Sequence, residues 1–461
     1  MSSDQTAKSP RPESLSGARF YWAWTTIIVG IGLSVLDGTI ANVALPTIAE
    51  VFKAEPAFSV WIVNGYQLAI VMTMLPLAAL GEIHGFRHIY LGGVTLFTLA
   101  SLVCCLSTSL TVLTAARVVQ GIGAAGMMSV NAALLRYIVP EKRLGSAIGL
   151  NAVVVAGAAT VGPTLAGLIL SQLSWPWLFA INLPLGLFAA IAGWCSLPDS
   201  DRVRRPFDLF SALLTALMFG SVVITIDSIG HQAAMPVIAG QFAVCMVATT
   251  LLVRRELKAS HPMLPLDLLA RPVFSMSVAT SVASFAAQML AMTALPFELQ
   301  SNFGFPPLEV GLLLMPWPLA VAAAAVVSGR LSDRFSPAVL GGVGLLCLAA
   351  GLLLMALLPV RPETTDIVWR MMLCGIGFGL FQSPNNRTLI MSAPRPRSGA
   401  ASGMLGVSRL TGQSIGTALV ALLLARLGMA GANTSLFLGA AFALVASLLS
   451  LARFRSFRVA G

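Results

Sequence analysis

Charge is what this sequence has least of. Asp, Glu, Lys and Arg make up only 10% of its 461 residues, and 57% are hydrophobic. An ordinary soluble protein is roughly a quarter charged. With so few ionic groups the chain cannot clothe a globule in hydrated surface, so a soluble enzyme or binding domain is excluded and many membrane crossings are expected. Metal-type and disulfide-type patterns are also missing. The six cysteines, Cys104, Cys105, Cys195, Cys245, Cys347 and Cys374, stand in apolar segments at no metal or disulfide spacing. The four histidines, His84, His88, His231 and His261, fall in loops or at span ends. Neither a His-Glu-x-x-His nor a Gly-x-x-x-x-Gly-Lys pattern occurs. An intramembrane enzyme would need such a cluster, so the expectation is no enzyme, no metal and no nucleotide or other cofactor. No cleavable signal pattern precedes the first apolar run, and residues 1–19 read as a polar, basic tail.

What is present is a succession of apolar runs long enough to span a bilayer, about 20 residues each. Fourteen are expected, at 22–46, 58–80, 88–107, 110–135, 145–171, 177–197, 208–230, 235–253, 273–299, 306–328, 338–360, 367–391, 399–425 and 432–452. With the N-terminus inside, 22 of the 28 Lys and Arg fall in inside segments, while outside loops hold Lys53, Arg361 and Arg426. By the positive-inside rule both termini are cytoplasmic. The net charge of +10 is thus a topology signal with a secondary attraction for anionic lipid heads. It is spread along the chain rather than gathered on one soluble domain, so a nucleic-acid partner is not expected.

The chain repeats itself. Asn131 matches Asn385, Gly145-Ser-Ala-Ile-Gly149 matches Gly399-Ala-Ala-Ser-Gly403, and Gly162 matches Gly416, all at one offset. Arg117 followed by Gly121-Ile-Gly123 parallels Arg370 followed by Gly375-Ile-Gly377, with a one-residue slip. Repeats of this kind mark secondary transporters, whose substrate site lies between the halves. The expected organisation is a tail (1–19), a six-helix bundle (20–197), a linker with two extra helices (198–271), a second six-helix bundle (272–454) and a short tail (455–461).

Within the apolar runs a few charges stand alone. Asp37 has no charged neighbour between Thr26 and Glu50. A lone carboxylate at membrane depth costs a few kcal/mol or more when ionised. It must be neutral, paired or wet, which suits a proton carrier. Arg117 is a cation in the fourth run and needs a carboxylate, carbonyls or water, so pairing with Asp37 is expected. Glu298, near the outer end of the ninth run, is a candidate second acid in an outward vestibule that would attract cations. Arg409 and Gln413 stand one helical turn apart and are candidates to line the cavity of the second half. Tyr66, Gln67, Met289, Met292, Trp317, Phe381 and Gln382 are candidate walls of the same cavity, because Met and aromatics suit adaptable surfaces.

Longer motifs now place the chain. Leu36-Asp37-Gly38-Thr39-Ile40-Ala41-Asn42-Val43-Ala44-Leu45-Pro46, Trp61-Ile62-Val63-Asn64-Gly65-Tyr66-Gln67-Leu68, Arg117-Val118-Val119-Gln120-Gly121-Ile122-Gly123, Gly162-Pro163 with Gly167, and Trp177 to Pro184 together resemble the major facilitator superfamily. The resemblance is to its fourteen-span drug:proton antiporter family and covers nearly the whole chain. It implies an all-α integral membrane protein of two six-helix bundles plus two additional helices. The implied activity is proton-coupled export of lipophilic, cationic small molecules by alternating access, with the proton as coupling ion and a monomer sufficient. A dedicated metabolite exporter or a proton-coupled symporter stays open as an alternative. The resemblance also assigns gating roles to Glu82, Arg87, Gly162, Pro163, Asp333 and Arg334. Three departures stand out: Ile83 where a basic residue is usual, Ala158 and Ala166 where Gly is usual, and Pro176 where Arg is usual.

Overall fold

The structure, a computed structural model, describes residues 17–139, 144–200, 202, 206–230, 232–258, 266–331, 335–359, 361–393 and 398–459. Its helices are α1 Gly17–Val51, α2 Pro56–Ser59, α3 Trp61–His84, α4 Phe86–Cys105, α5 Leu110–Ile138, α6 Leu144–Gln172, α7 Trp177–Ala180, α8 Asn182–Ser196 and α9 Leu209–Gly230. There follow α10 Met235–Glu256, α11 Leu266–Leu269, α12 Pro272–Phe297, α13 Pro307–Leu314, α14 Pro316–Leu331, α15 Pro337–Ala356, α16 Thr364–Met391, α17 Ser398–Leu427 and α18 Ala430–Val459. A π-helical turn, Glu298–Asn302, continues α12. No strand occurs among the described residues.

These runs become helices because a bilayer offers the backbone no hydrogen-bond partner, and a helix satisfies its own. Proline sets several starts. It opens α2, α12, α13 and α15, where its missing N–H and fixed φ cost nothing. Ser109 caps α5 by accepting from the Val112 N–H at 3.3 Å. Two sharp reversals rest on glycine in left-handed backbone: Gly85 (φ +99°) between α3 and α4, and Gly428 (φ +58°) between α17 and α18.

Among the described residues, twelve helical segments are long and apolar enough to cross a membrane. The fourteen of the sequence reading are not reached on that measure. The remaining two positions hold α6 and α16, of 29 and 28 residues. α1 begins at Gly17 and α18 runs to Val459, so helix extends into both segments read as tails.

In the first bundle α3 and α4 pack on α5, and α6 and α8 pack on α1. In the second, α14 and α15 pack on α16, α12 packs on α17 and α18, and α15 packs on α18. The repeat is visible in close backbone approaches. A Cβ on Gly121 would lie 2.4 Å from the Tyr66 carbonyl oxygen of α3, and one on Gly123 2.5 Å from the Phe97 nitrogen of α4. A Cβ on Gly375 would lie 2.3 Å from the Trp317 carbonyl oxygen of α14, and one on Gly377 2.4 Å from the Leu348 nitrogen of α15. Gly162 likewise packs on α1 at Thr39, and Gly416 on α12 at Ala286. α9 and α10 pack on each other, and α9 docks against both α3 and α17.

Two faces can be told apart. On one, Trp61 Nε1 donates to Asp227 Oδ1 at 2.7 Å and Arg426 Nε to the Ile229 carbonyl at 2.9 Å. This far face joins the start of α3 to the ends of α9 and α17. The first helix begins on the opposite, terminal face, where Arg19 donates to the Ser196 carbonyl at the end of α8. Most described polar contacts between the bundles lie toward the far face. Gln300 donates to the Val43 carbonyl at 2.9 Å, Thr293 to Asn42 at 3.4 Å and Thr417 to Gln67 at 3.3 Å. A Cβ on Gly311 would lie 2.4 Å from the Pro163 carbonyl oxygen, and one on Gly167 2.7 Å from that of Pro307. The seam between α6 and α13 is therefore sealed by glycine against backbone. α3 and α17 continue the contact to greater depth, where Met74 lies under Gly406.

Candidate functional site

A buried polar network crosses the first bundle. α1 supplies Asp37, 1% exposed, and α5 supplies Arg117, wholly buried. The two form an ion pair through Arg117 Nη1 and Asp37 Oδ2. Gln120, one turn along α5, donates to Asp37 Oδ1 at 3.0 Å and accepts from Arg117 Nη1 at 2.5 Å. Asn182, at the start of α8, donates to the same Oδ1 at 2.7 Å. Ser101 of α4 takes a second N–H from Gln120 at 2.8 Å. The other side of the guanidinium is tied to α3. Arg117 Nε donates to the Ile62 carbonyl at 3.0 Å, and its plane lies 4.1 Å from the centroid of the Tyr66 ring. Tyr66 in turn donates to the Ser34 carbonyl at 3.0 Å. Five helices thus meet on one carboxylate–guanidinium pair. Removing either partner would leave a buried charge uncompensated, an arrangement that costs several kcal/mol.

Among the described residues, the second bundle has no such buried pair. Arg370, the counterpart of Arg117, bridges to Asp366 at 3.0 Å on its own helix. α12 carries Ala294-Leu295-Pro296 where α1 carries Ala44-Leu45-Pro46, and in that register Ala287 stands where Asp37 stands. Arg453 is buried among neutral partners: Ser277 at 2.6 Å, Asn385 at 2.7 Å and Ser450 at 2.8 Å.

The sequence profile of the Major Facilitator Superfamily matches residues 27–417 and 277–459. The chain belongs to the major facilitator superfamily. It is 50% identical over 432 residues to the uncharacterized transporter YebQ of Escherichia coli (strain K12), covering 93% of this chain and 94% of that one. It is 33% identical over 409 residues to the multidrug resistance protein Stp of Mycobacterium tuberculosis (strain CDC 1551 / Oshkosh), covering 87% and 75%. In fold it is similar to a bacterial homologue of the human lysosomal transporter Spinster, with a TM-score of 0.70 at 15% identity and 96% and 98% coverage. The protein is a multi-pass membrane transporter of this superfamily, whose members act on small-molecule substrates.

Within this facilitator fold the remaining sequence candidates sort as follows. Tyr66 is not a cavity wall: it is 2% exposed and braces Arg117. Gln67 is buried and holds the seam through Thr417. Trp317, Phe381 and Met289 are likewise packed core, with Phe381 edge-on to Phe378. Their bulk fills space between helices rather than lining an opening. Met292 and Gln382 keep partial exposure. Glu298 lies toward the far face. It is 5% exposed on the π-helical turn, with Asn302 donating to it at 2.8 Å. Arg87 pairs with Asp199 at 3.2 Å and donates to the Trp194 carbonyl. That ties α4 to α8 within one bundle, so its described contacts form no latch between bundles. Glu82 is exposed at the end of α3. Gly162 and Pro163 do lie at the junction of α1, α6 and α13. Asp333 and Arg334 lie outside the described residues. Gln120, Asn182 and Ser101 were missed as site residues. Neutral amides and hydroxyls carry no charge signal, although Gln120 and Asn182 stand inside the motifs that gave the resemblance.

Proposed function

We propose that this chain is a proton-coupled antiporter that exports lipophilic small molecules across the cytoplasmic (inner) membrane by alternating access. In this reading fourteen helices span the bilayer, both termini are cytoplasmic, and the far face is external. The two bundles (20–197 and 272–454) rock about their seam, and the linker 198–271 carries the extra pair. The proton is the coupling ion, no cofactor takes part, and a monomer embedded in lipid is sufficient.

The observation that carries the reading is the buried Asp37–Arg117 pair. Every group on Asp37 is a donor: Arg117, Gln120 and Asn182. An ionised carboxylate accepts all three. A protonated one loses an accepting position and must itself donate, and Arg117 loses its counter-charge. Proton uptake therefore disfavours the packing of α1, α5 and α8 in this arrangement. Arg117 Nη2 and Asn182 Oδ1 have no partner among the described residues, leaving a donor and an acceptor for entering water. Such a network is a two-state element biased by one proton. The seam joins α1 to α12 and α6 to α13 on the external side of the fold. Opening it would give Asp37 access to external protons, and the loaded state would favour substrate release. Resealing would return the ion pair and free the proton inward. Gly162-Pro163 at the seam favours this exchange cycle over uptake by symport.

The test is dye uptake into inside-out proteoliposomes with an acidic lumen, native protein against Asp37→Asn. Uptake that requires the gradient and disappears in the variant is expected. Equal uptake by both would remove Asp37 from coupling.

A further inference from the structure

The first bundle neutralises its buried cation, whereas the second carries one that no described acid pairs with. Arg409 of α17 is partly buried, and its Nε, shielded from solvent, has no hydrogen-bond partner. Among the described residues no acid pairs with it. The faces of α17 fix where it points. Gly412 and Gly416 pack on α12 at Val282 and Ala286. Gly406 and Thr417 meet α3 at Met74 and Gln67. Leu422, on a third side, meets Gly230 of α9. At 100° per residue, Arg409 and Gln413 fall between the α12 stripe and the α3 stripe, turned away from α9. That sector faces the seam between the two bundles. Arg409 lies about 9 Å inside the apolar span Gly403–Leu427 and about 27 Å from its other end.

Among the described residues, the two acids buried within the bundles are committed elsewhere. Asp37 is held by Arg117. Glu298 is buried toward the far face with Asn302. In the repeat, Val155 of α6 occupies the position of Arg409, so the cation has no twin across the seam. A guanidinium held at membrane depth without an acid needs acceptor groups from water or from a ligand. Its planar fork matches carboxylates and other oxyanions two bonds at a time.

We propose that Arg409, assisted by the amide of Gln413, is the recognition point for an anionic group on the transported molecule, so that the preferred substrates are lipophilic acids or zwitterions rather than simple lipophilic cations. This rests on the export reading above and replaces the cationic substrates that the family resemblance implied. Arg409 selects, Asp37 couples, and the two functions occupy opposite halves.

A matched pair of dyes separates them. Rhodamine 110 bears a free carboxylate, and rhodamine 123 is its methyl ester. Gradient-driven uptake into inside-out proteoliposomes is measured for native protein, Arg409→Gln, Arg409→Lys and Asp37→Asn, together with equilibrium binding of both dyes to the purified full-length proteins by fluorescence polarisation. Native protein is expected to bind the acid about tenfold more tightly than the ester. Arg409→Gln brings that ratio to near one while still binding the ester, and Arg409→Lys keeps part of it. Asp37→Asn retains the binding ratio and loses gradient dependence. Equal binding of acid and ester by native protein, or a ratio unchanged in Arg409→Gln, overturns the assignment. An intact ratio with transport indifferent to the gradient overturns proton coupling instead and leaves Arg409 in place.

Discussion

The two halves share a scaffold and differ in where they keep their charge. Gly121 and Gly123 bring α5 against α3 and α4 as Gly375 and Gly377 bring α16 against α14 and α15. On that common frame the first half closes a carboxylate–guanidinium pair between α1 and α5. The second has Ala287 in place of the acid, an Arg370 that pairs with Asp366 on its own helix through Nη1 and leaves Nε without a partner among the described residues, and an Arg409 on α17 that no described acid pairs with. Helix packing in a membrane is set by small residues and shape, so it can be duplicated without the charges. The charges can then diverge between the halves.

The sharpest way to break the contrast is to make the first half resemble the second. Asp37→Asn leaves Arg117 buried and unpaired, and a loss of about 3–5 kcal/mol in unfolding stability is expected, read as the shift of the denaturation midpoint in detergent. Adding Arg117→Gln to it should restore a large part of that loss. Additive effects would show that the pair is not coupled.

A smaller effect is expected at the seam between halves. Gly311→Ala places a methyl 2.4 Å from the Pro163 carbonyl oxygen. It should cost this sealed arrangement about 1–3 kcal/mol and shift the population toward an open far face. Reactivity of a cysteine introduced by Thr293→Cys, buried here at the seam against Asn42, toward an impermeant thiol reagent reports the shift, and unchanged labelling would place the moving contact elsewhere.

Arg409→Gln should change unfolding stability by less than about 1 kcal/mol, because no partner is stranded. A loss as large as that of Asp37→Asn would mean that Arg409 holds structure and that the asymmetry is smaller than described.

The smallest effect belongs to a pair outside both bundles. Arg255 donates to Asp208 at 2.9 and 3.0 Å, and that bonding holds the Asp208 carboxyl down at about 2. Its folded value lies below its unfolded one, so the contribution is present above about pH 4 and fades as the pH falls toward 2. Native and Asp208→Asn proteins compared by thermal unfolding should differ slightly near neutrality and converge in acid. Divergence on acidification would reverse the assignment.

Much of the fold was legible in the sequence because hydropathy and glycine spacing are local. The same holds for Asp37 and Arg117: isolated charges in apolar runs must find each other or water. Gln120 and Asn182 escaped because a neutral amide costs little enough to stand anywhere. Tyr66, Trp317, Phe381 and Met289 were read as cavity walls because residue type does not reveal which way a helix is turned. The sequence by itself determined a membrane transporter of duplicated helical bundles, since length, apolarity and repeated motifs act within each segment. Only the tertiary structure decided that Asp37 is sealed by three donors, that Glu298 lies buried on a π-helical turn, and that Arg409 has no acid partner among the described residues. Those facts depend on the rotation of each helix against its neighbours, which packing across the whole molecule sets.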